Sequence, residues 1–214
     1  DVHWASTKVT ITHQKSFVID DKKAVVMTGN FTQQYYATAR DYSIVDTRKR
    51  DVAAIEQTFT LDWANTKGPA PPGTDLVWSP GSQAPLVTLI GSAKHALLAE
   101  NEELQSPAIV DALAAAARRG VDVRLLLTDQ ATWHANFSTL KTAGVHVRTY
   151  KSARHVLYIH AKAIVVDGRR VFLGSENFSK TSLVSNRELG LVTSTKSVVQ
   201  AVQHPPGAGP VLDA

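Results

Sequence analysis

Short apolar runs and longer amphipathic stretches alternate along most of the chain. Runs rich in valine, isoleucine and leucine predict strands, because β-branched residues favour extended backbone. The predicted strands cover residues 9–19, 24–27, 41–45, 75–78, 121–127, 145–150, 159–167, 171–173 and 187–192. Apolar residues spaced three and four apart predict helices over residues 51–63, 87–98, 107–119 and 131–143. The alternation beyond residue 75 predicts an α/β fold in which helices flank mixed sheets.

A stretch rich in proline and glycine, residues 67–74, predicts a linker, because proline and glycine interrupt helices and strands. It divides the chain into a short first lobe, residues 1–66, and a longer second lobe, residues 75–203. The proline-rich tail, residues 204–214, is predicted to be disordered. The first lobe has no counterpart of residues 75–150, so we expect it to be incomplete and the chain to be a piece of a longer protein.

Composition narrows the function classes only slightly. A formal net charge of +4 suits an anionic substrate, although basicity alone does not separate a phospholipid from a nucleic acid. Because the chain contains no cysteine, it has neither disulfides nor a zinc–thiolate site. No apolar run approaches the ~20 residues that a membrane-spanning helix needs, so no transmembrane segment is predicted. The cellular compartment stays open.

A histidine and a lysine two residues apart, His160 and Lys162, mark the candidate chemistry. Side chains alternate faces along a strand, so these two point the same way and together suit a phosphate. The pattern is repeated at His13 and Lys15, at an offset of 160 − 13 = 147 residues. The same offset joins further pairs without a gap: Asp20/Asp167, Thr28/Ser175, Asn30/Asn177, Phe31/Phe178, Arg40/Arg187 and Asp41/Glu188. Two copies in one register indicate an internal duplication.

The repeated motif, H-x-K-x4-D followed by G-S-x-N, resembles the signature of the phospholipase D superfamily of phosphodiesterases. The second copy matches this signature throughout. The first copy carries Met27 and Thr28 where the superfamily has glycine followed by glycine or serine, so the hydroxyl is kept and the glycine is replaced. The resemblance extends over residues 8–203.

The resemblance implies two pseudo-symmetric lobes that share one phosphate site. His13 would be the nucleophile that forms a phosphohistidine and His160 the general acid, and the pseudo-symmetry also permits the reverse. Lys15 and Lys162 would neutralise the phosphate oxygens. Because the lysines supply the positive charge, the reaction would need neither a metal nor a cofactor.

The same resemblance gives the other motif residues supporting roles. A carboxylate 28 residues after each histidine, Asp41 or Glu188, would orient its imidazole. Four uncharged donors would bind the phosphate: Thr28, Asn30, Ser175 and Asn177. Asp20, Asp167 and Gly174 would be structural, with the two aspartates bonding within their hairpin turns.

Simpler interpretations stay open for the acidic residues. Asp41 and Glu188 could instead form salt bridges with the neighbouring Arg40 and Arg187. The acidic run has no regular metal-ligand spacing and is expected to be a solvated helix end. This run comprises Glu100, Glu102 and Glu103.

Three functions stay open at this point. The first is hydrolysis or transfer of phospholipid head groups, with peripheral contact to a membrane, and it is favoured because lipid-active members of the superfamily are common. The second is a metal-independent nuclease, which the basic charge suits, although no dense lysine–arginine stripe is present. The third, from another class, is an inactive truncated remnant that binds phosphate without turnover. Tyr35 and Tyr36 suit either a lipid-facing rim or a base-stacking platform, and His155 is a candidate pocket residue.

Overall fold

The structure, a computed structural model, describes residues 1–33, 36–66, 68–151 and 157–204. The tail predicted to be disordered lies outside the described residues except for His204, and so do Tyr35 and His155. Within the described ranges, no helix is both long and apolar enough to cross a bilayer.

The first part of the chain folds into a small antiparallel sheet backed by one long helix. The strands are β1 (Ser16–Ile19), β2 (Lys23–Met27), β3 (Ala39–Arg40) and β4 (Ser43–Asp46), and the helix is α1 (Lys49–Trp63). Strands β1, β2 and β4 form the sheet in that order. Val52 and Ile55 lie on the buried face of α1, as their spacing predicts, and pack beneath this sheet.

The longer part of the chain forms a seven-stranded sheet with helices. Its strands are β5 (Leu76–Ser79), β6 (Ala96–Asn101), β7 (Asp122–Asp129), β8 (His146–Lys151), β10 (Ala163–Val166), β11 (Arg170–Gly174) and β12 (Glu188–Thr193), and β9 (Tyr158–Ile159) pairs instead with β3. Its helices are α2 (Gln83–Gly91), α3 (Pro107–Arg118), α4 (His134–Thr142), α5 (Lys180–Val184) and α6 (Lys196–Gln203). The strand order is β5-β12-β11-β10-β6-β7-β8. Strands β6, β7 and β8 run parallel and the other neighbours antiparallel, which confirms the predicted α/β fold with a mixed sheet.

The large sheet is covered on both faces. On one face, helices α2 and α3 contribute Leu86 and Leu113 to the main apolar cluster. On the other face, Val165 and Leu191 share a second cluster with Val26 of the small sheet. The two parts of the chain therefore pack through one continuous apolar contact, which fixes the position of one motif copy against the other.

Two sets of predicted boundaries are wrong. The helix predicted over residues 87–98 ends at Gly91, and residues 96–98 open strand β6 instead. A short apolar run does not distinguish a buried strand from a buried helix by its pattern alone. The signature strands are also shorter than predicted, since β1 begins at Ser16 and β10 at Ala163, after the histidine and lysine of each copy.

The segments that carry the histidines leave their own sheets and form backbone bridges to the other copy. Thr12 pairs in parallel with Arg187, and Arg40 pairs in parallel with Ile159. The repeat offset relates the two bridges, because 12 + 147 = 159 and 40 + 147 = 187. The two copies are thus docked in a pseudo-twofold arrangement, each bridging the other in the same way.

Candidate active site

Each histidine of the repeat is held by a carboxylate from the other copy. Nδ1 of His13 lies 2.8 Å from Oε2 of Glu188, and Nδ1 of His160 lies 2.9 Å from Oδ1 of Asp41. The resemblance instead predicts that each histidine is held by the carboxylate of its own copy, 28 residues after it. The structure brings together the predicted residues but exchanges the two partners.

The exchange follows from the backbone bridges between the copies. His13 and Glu188 each come one residue after a member of the Thr12–Arg187 bridge. The amide of His13 also donates to the carbonyl oxygen of Arg187 at 2.9 Å. The other histidine and its carboxylate follow their own bridge in the same way. Bridging therefore sets each histidine beside the carboxylate of the opposite copy.

The hydroxyls of Thr28 and Ser175 support the two carboxylates. Oγ1 of Thr28 donates to Oδ1 of Asp41 at 2.7 Å, and Oγ of Ser175 donates to Oε2 of Glu188 at 2.7 Å. Both hydroxyl residues are buried. A hydroxyl has one proton, so neither group has a proton left to donate to a phosphate, contrary to the expected role. The hydroxyls instead fix the groups that hold the histidines.

Glu188 has the denser set of contacts. Its Oε1 accepts hydrogen bonds from Oγ of Ser182 at 2.7 Å and from Nδ2 of Asn186 at 3.0 Å. Burial raises the pKa of this carboxyl, but the hydrogen bond and charge of His13, together with the other donors, hold the pKa below its usual value. An ionised carboxylate accepts a hydrogen bond from the N–H at Nδ1 of His13, which leaves the lone pair of a neutral ring on Nε2.

The two lysines of the repeat are both buried but differ in their contacts. Nζ of Lys162 donates to Oε2 of Glu102 at 3.1 Å and also to the carbonyl oxygen of His160. Nζ of Lys15 has no hydrogen-bond partner among the described residues. Burial, followed by the charge of Lys162, lowers the pKa of Lys15 to about 7, and the charges of Glu188, Glu102 and Asp41 oppose this shift. These groups therefore act on one another as a single charged cluster.

Two side chains of this cluster, Glu102 and Tyr158, lie outside the repeat, which therefore does not indicate them. Glu102 follows the last residue of β6. Its Oε2 lies 3.6 Å from Nε2 of His160 and 3.1 Å from Nζ of Lys162. The hydroxyl of Tyr158 donates to Oε1 of Glu102. Burial raises the pKa of Glu102, but Lys162 and His160 hold it below its usual value. The acidic run is a signal for this site, but the sequence pattern places it at a helix end instead of on strand β6.

The arginines of the repeat have other partners. Arg187 donates two hydrogen bonds of 2.9 Å to the carboxylate of Asp62, and Arg40 donates to Oε1 of Glu100 at 3.0 Å. The alternative in which these arginines neutralise the two motif carboxylates is therefore wrong. Glu100 is buried on strand β6, so the acidic run is not a solvated helix end either.

The two motif asparagines differ in their surroundings. Asn177 is buried, and its Oδ1 has no hydrogen-bond partner in the described part of the chain. Asn30 is half-buried and lines a cavity of about 250 Å³ together with Asp41, Tyr36 and Tyr42. One wall of this polar and aromatic cavity is thus a carboxylate that holds a histidine.

The motif aspartate of the second copy bonds outside its own turn. The carboxylate of Asp167 accepts hydrogen bonds from three successive amides at the start of strand β6, those of Lys94, His95 and Ala96. The expected bonding within the hairpin turn is wrong for this residue. Asp20 and Asp167 share the left-handed backbone conformation, with φ values of 50° and 53°.

Gly174 lies where the backbones of β11 and β12 and a buried carboxyl meet. A Cβ atom built on Gly174 would lie 2.3 Å from Oε2 of Glu176 and 2.5 Å from Cα of Gly190. Only glycine fits this approach. Met27 holds the equivalent position in the first copy, where it lines the cavity next to Asn30.

Residues 86–204 match a domain family described as "Cardiolipin synthase, PLD-like domain". The mitochondrial cardiolipin hydrolase of Xenopus laevis is 34% identical over 120 residues, which are 55% of this chain and 55% of that protein. Cardiolipin synthase A of Pectobacterium carotovorum is 29% identical over 117 residues, 51% of this chain and 23% of that protein. The chain thus spans about half the length of the first of these relatives and less of the second.

Solved structures share the fold. A phospholipase D family member, Nuc from Salmonella typhimurium, is 26% identical with a TM-score of 0.54 and matches 59% of this chain and 86% of its own. The phosphatidylserine synthase of Haemophilus influenzae has a TM-score of 0.66 over 90% of this chain and 59% of its own. At 13% identity, the second likeness concerns the fold alone.

Proposed function

The chain belongs to the phospholipase D superfamily, whose PLD-like domain matches 119 of its 214 residues (86–204), and on that basis we propose that it is a phosphodiesterase acting through two histidines. The observation that carries the proposal is the pair of imidazoles whose Nδ1 atoms are each held by a carboxylate. With Nδ1 occupied, Nε2 is the nitrogen of each ring that is available for chemistry.

In the first step, Nε2 of His13 attacks phosphorus. An N–P bond forms, the bond from phosphorus to the leaving oxygen breaks, and Nε2 of His160 gives its proton to that oxygen. Lys15 and Lys162 balance the charge on the phosphate oxygens. Glu188 stabilises the positive charge that His13 acquires when it is phosphorylated.

In the second step, His160 is neutral and takes a proton from water or from an alcohol. The oxygen of that molecule attacks phosphorus, and the N–P bond breaks, which returns His13 to its starting state. Water gives hydrolysis, and an alcohol gives transfer of the phosphoryl group together with its remaining ester, which for a phospholipid is the phosphatidyl group. Both histidines end in the protonation states in which they began.

For the substrate, we favour the phosphodiester of a phospholipid head group. The names of two relatives, a cardiolipin hydrolase and a cardiolipin synthase, support this choice. The net charge of +4 favours an anionic substrate or surface in general. The substrate test is incubation, in EDTA, with vesicles that contain cardiolipin or a fluorescent phosphatidylcholine and, separately, with single-stranded DNA. Turnover of DNA alone would overturn the lipid proposal, and no turnover of any substrate would favour a phosphate-binding remnant.

The roles of the two histidines are tested with bis(p-nitrophenyl) phosphate, whose leaving group needs little help from an acid. His13→Ala should lower the turnover rate by at least about 10³-fold and should form no acid-labile phosphoenzyme. His160→Ala should still release a burst of p-nitrophenol and accumulate phosphoenzyme, because only the second step needs its base. His146→Ala, on a side chain that is 75% exposed, is the matched control and should behave like the unmodified protein. Full activity in both single variants would contradict the two-histidine scheme.

A further inference from the structure

The carboxylate of Glu102 lies next to both the lysine and the histidine of the second motif copy, where a bound anion would lie. Its Oε2 lies 3.1 Å from Nζ of Lys162 and 3.6 Å from Nε2 of His160. Lys162 is fully buried, so its ammonium cannot turn to solvent to reach another anion. The proposed reaction requires a phosphate to contact these same two atoms. A phosphate oxygen and the carboxylate of Glu102 therefore compete for one place.

The first motif copy has no such competitor among the described residues. Nζ of Lys15 is buried and lacks a hydrogen-bond partner there, although the charge of Glu102 acts on it. An incoming phosphate thus has a vacant ammonium at Lys15 and an occupied one at Lys162. The side chain of Glu102 is 22% exposed and its other oxygen is held by Tyr158, so it stays close to the phosphate after leaving the lysine.

We propose that Glu102 is a specificity-determining residue that makes this site prefer phosphodiesters to phosphomonoesters. The inference rests on the proposed phosphate site. A diester carries one negative charge, whereas a monoester carries nearly two at neutral pH and above, since its second pKa is about 6. Repulsion by a neighbouring carboxylate is therefore larger for the monoester. Hydrolysis of a diester produces a monoester, so the same repulsion helps to expel the product.

The test is the binding of two matched probes, methyl phosphate and dimethyl phosphate, measured by calorimetry without any turnover. Glu102→Gln keeps the shape of the side chain and removes its charge. We expect this variant to bind methyl phosphate about tenfold more tightly than the unmodified protein, the change that about 1.4 kcal/mol produces. The affinity for dimethyl phosphate should rise by a smaller factor, because this probe carries about half the charge of methyl phosphate.

Glu103→Gln is the matched control. It removes the same charge from the next residue, whose carboxylate accepts a hydrogen bond from Gln105 at 3.2 Å and acts on Lys162 through its charge without contacting it, and should change the affinity for either probe less than Glu102→Gln does. Tyr158→Phe is the second variant. It removes the hydrogen bond to Oε1 of Glu102 and keeps the charge, so the carboxylate can move away from a bound phosphate. The affinity for methyl phosphate should therefore rise, by a smaller factor than in Glu102→Gln.

The outcomes separate this inference from the proposed function. Two outcomes would contradict the specificity role of Glu102 and leave the phosphate site in place. In the first, Glu102→Gln binds methyl phosphate no more tightly than the unmodified protein does. In the second, its affinity rises by the same factor for both probes. If neither protein binds either probe, the phosphate site itself is wrong, and the proposed function is overturned with it.

Discussion

At the scale of single residues, the internal repeat identifies most of the candidate site, but not the partner of each side chain. The offset of 147 residues selects His13, His160 and both lysines, which the structure brings into one cluster. Hydrogen-bond partners depend on contacts across the fold. Thr28 is therefore found by the motif, but its hydroxyl donates to Asp41, a contact that no local pattern indicates.

Lys15 makes a prediction about pH. Burial, with the charge of Lys162, lowers the pKa of Lys15 to about 7, so its ammonium is charged below that pH and neutral above it. Only the charged form attracts phosphate, so KM should rise with pH above this value, approaching about tenfold per pH unit. Lys15→Arg should remove this rise, because a guanidinium keeps its proton in proteins. The measurement is KM for bis(p-nitrophenyl) phosphate across this pH range.

The control for this prediction is Lys23→Arg, at an exposed position at the start of β2. It makes the same chemical change on a side chain outside the charged cluster, and KM should keep the pH dependence of the unmodified protein. If Lys15→Arg also keeps that dependence, another group sets it and the lowered pKa of Lys15 is not the cause.

At the scale of secondary structure, periodicity predicts the long elements well and the segments around the site poorly. Helix α1 and strand β7 begin and end within two residues of their predicted bounds. The pattern predicts the end of a helix where strand β6 begins, because a short apolar run fits either element. The sequences that carry the histidines look like strands but pair with the other copy outside their own sheets. Tertiary bridging, not local preference, decides their conformation.

The close contact between β11 and β12 predicts that replacing glycine by alanine changes the stability very differently at two positions, Gly190 and Gly91. A Cβ on Gly190 would lie 2.3 Å from Cε2 of the buried Phe172, whereas a Cβ on Gly91 at the end of α2 has nothing within 4 Å. Gly190→Ala should lower the free energy of unfolding by about 1–3 kcal/mol, the usual cost of overpacking. Gly91→Ala should leave it unchanged or raise it by up to about 1 kcal/mol, because alanine favours helix. Urea unfolding measures both, and equal stability of the two variants would contradict the packing around Phe172.

At the scale of the whole molecule, the two motif copies complete one another. Each copy supplies a histidine and the carboxylate that holds the histidine of the other copy. The small and large sheets also share an apolar cluster, so the histidines are positioned by the same contact that packs the two parts together. The sequence predicts the pseudo-symmetry through its repeat, but a spacing of 28 residues is equally compatible with pairing within a copy or between copies.

The exchanged pairing predicts which carboxylate variant resembles which histidine variant. Asp41→Asn should act like His160→Ala with bis(p-nitrophenyl) phosphate, retaining a burst and accumulating phosphoenzyme, because Asp41 holds His160. Glu188→Gln should act like His13→Ala and slow phosphoenzyme formation, because Glu188 holds His13. Losses of about 10²–10⁴-fold are expected in the affected step, as when the carboxylate behind a catalytic histidine is neutralised.

The two pairings give opposite results in this experiment, so it needs no assumption about the size of either effect. Pairing within a copy would make Asp41→Asn the variant that fails to form phosphoenzyme. A double variant sharpens the distinction: Asp41→Asn should add little to the loss that His160→Ala already causes in the second step, because residues that act as a unit are not additive. Additive effects for Asp41 with His160 would show that the cross-copy hydrogen bond does not serve the reaction.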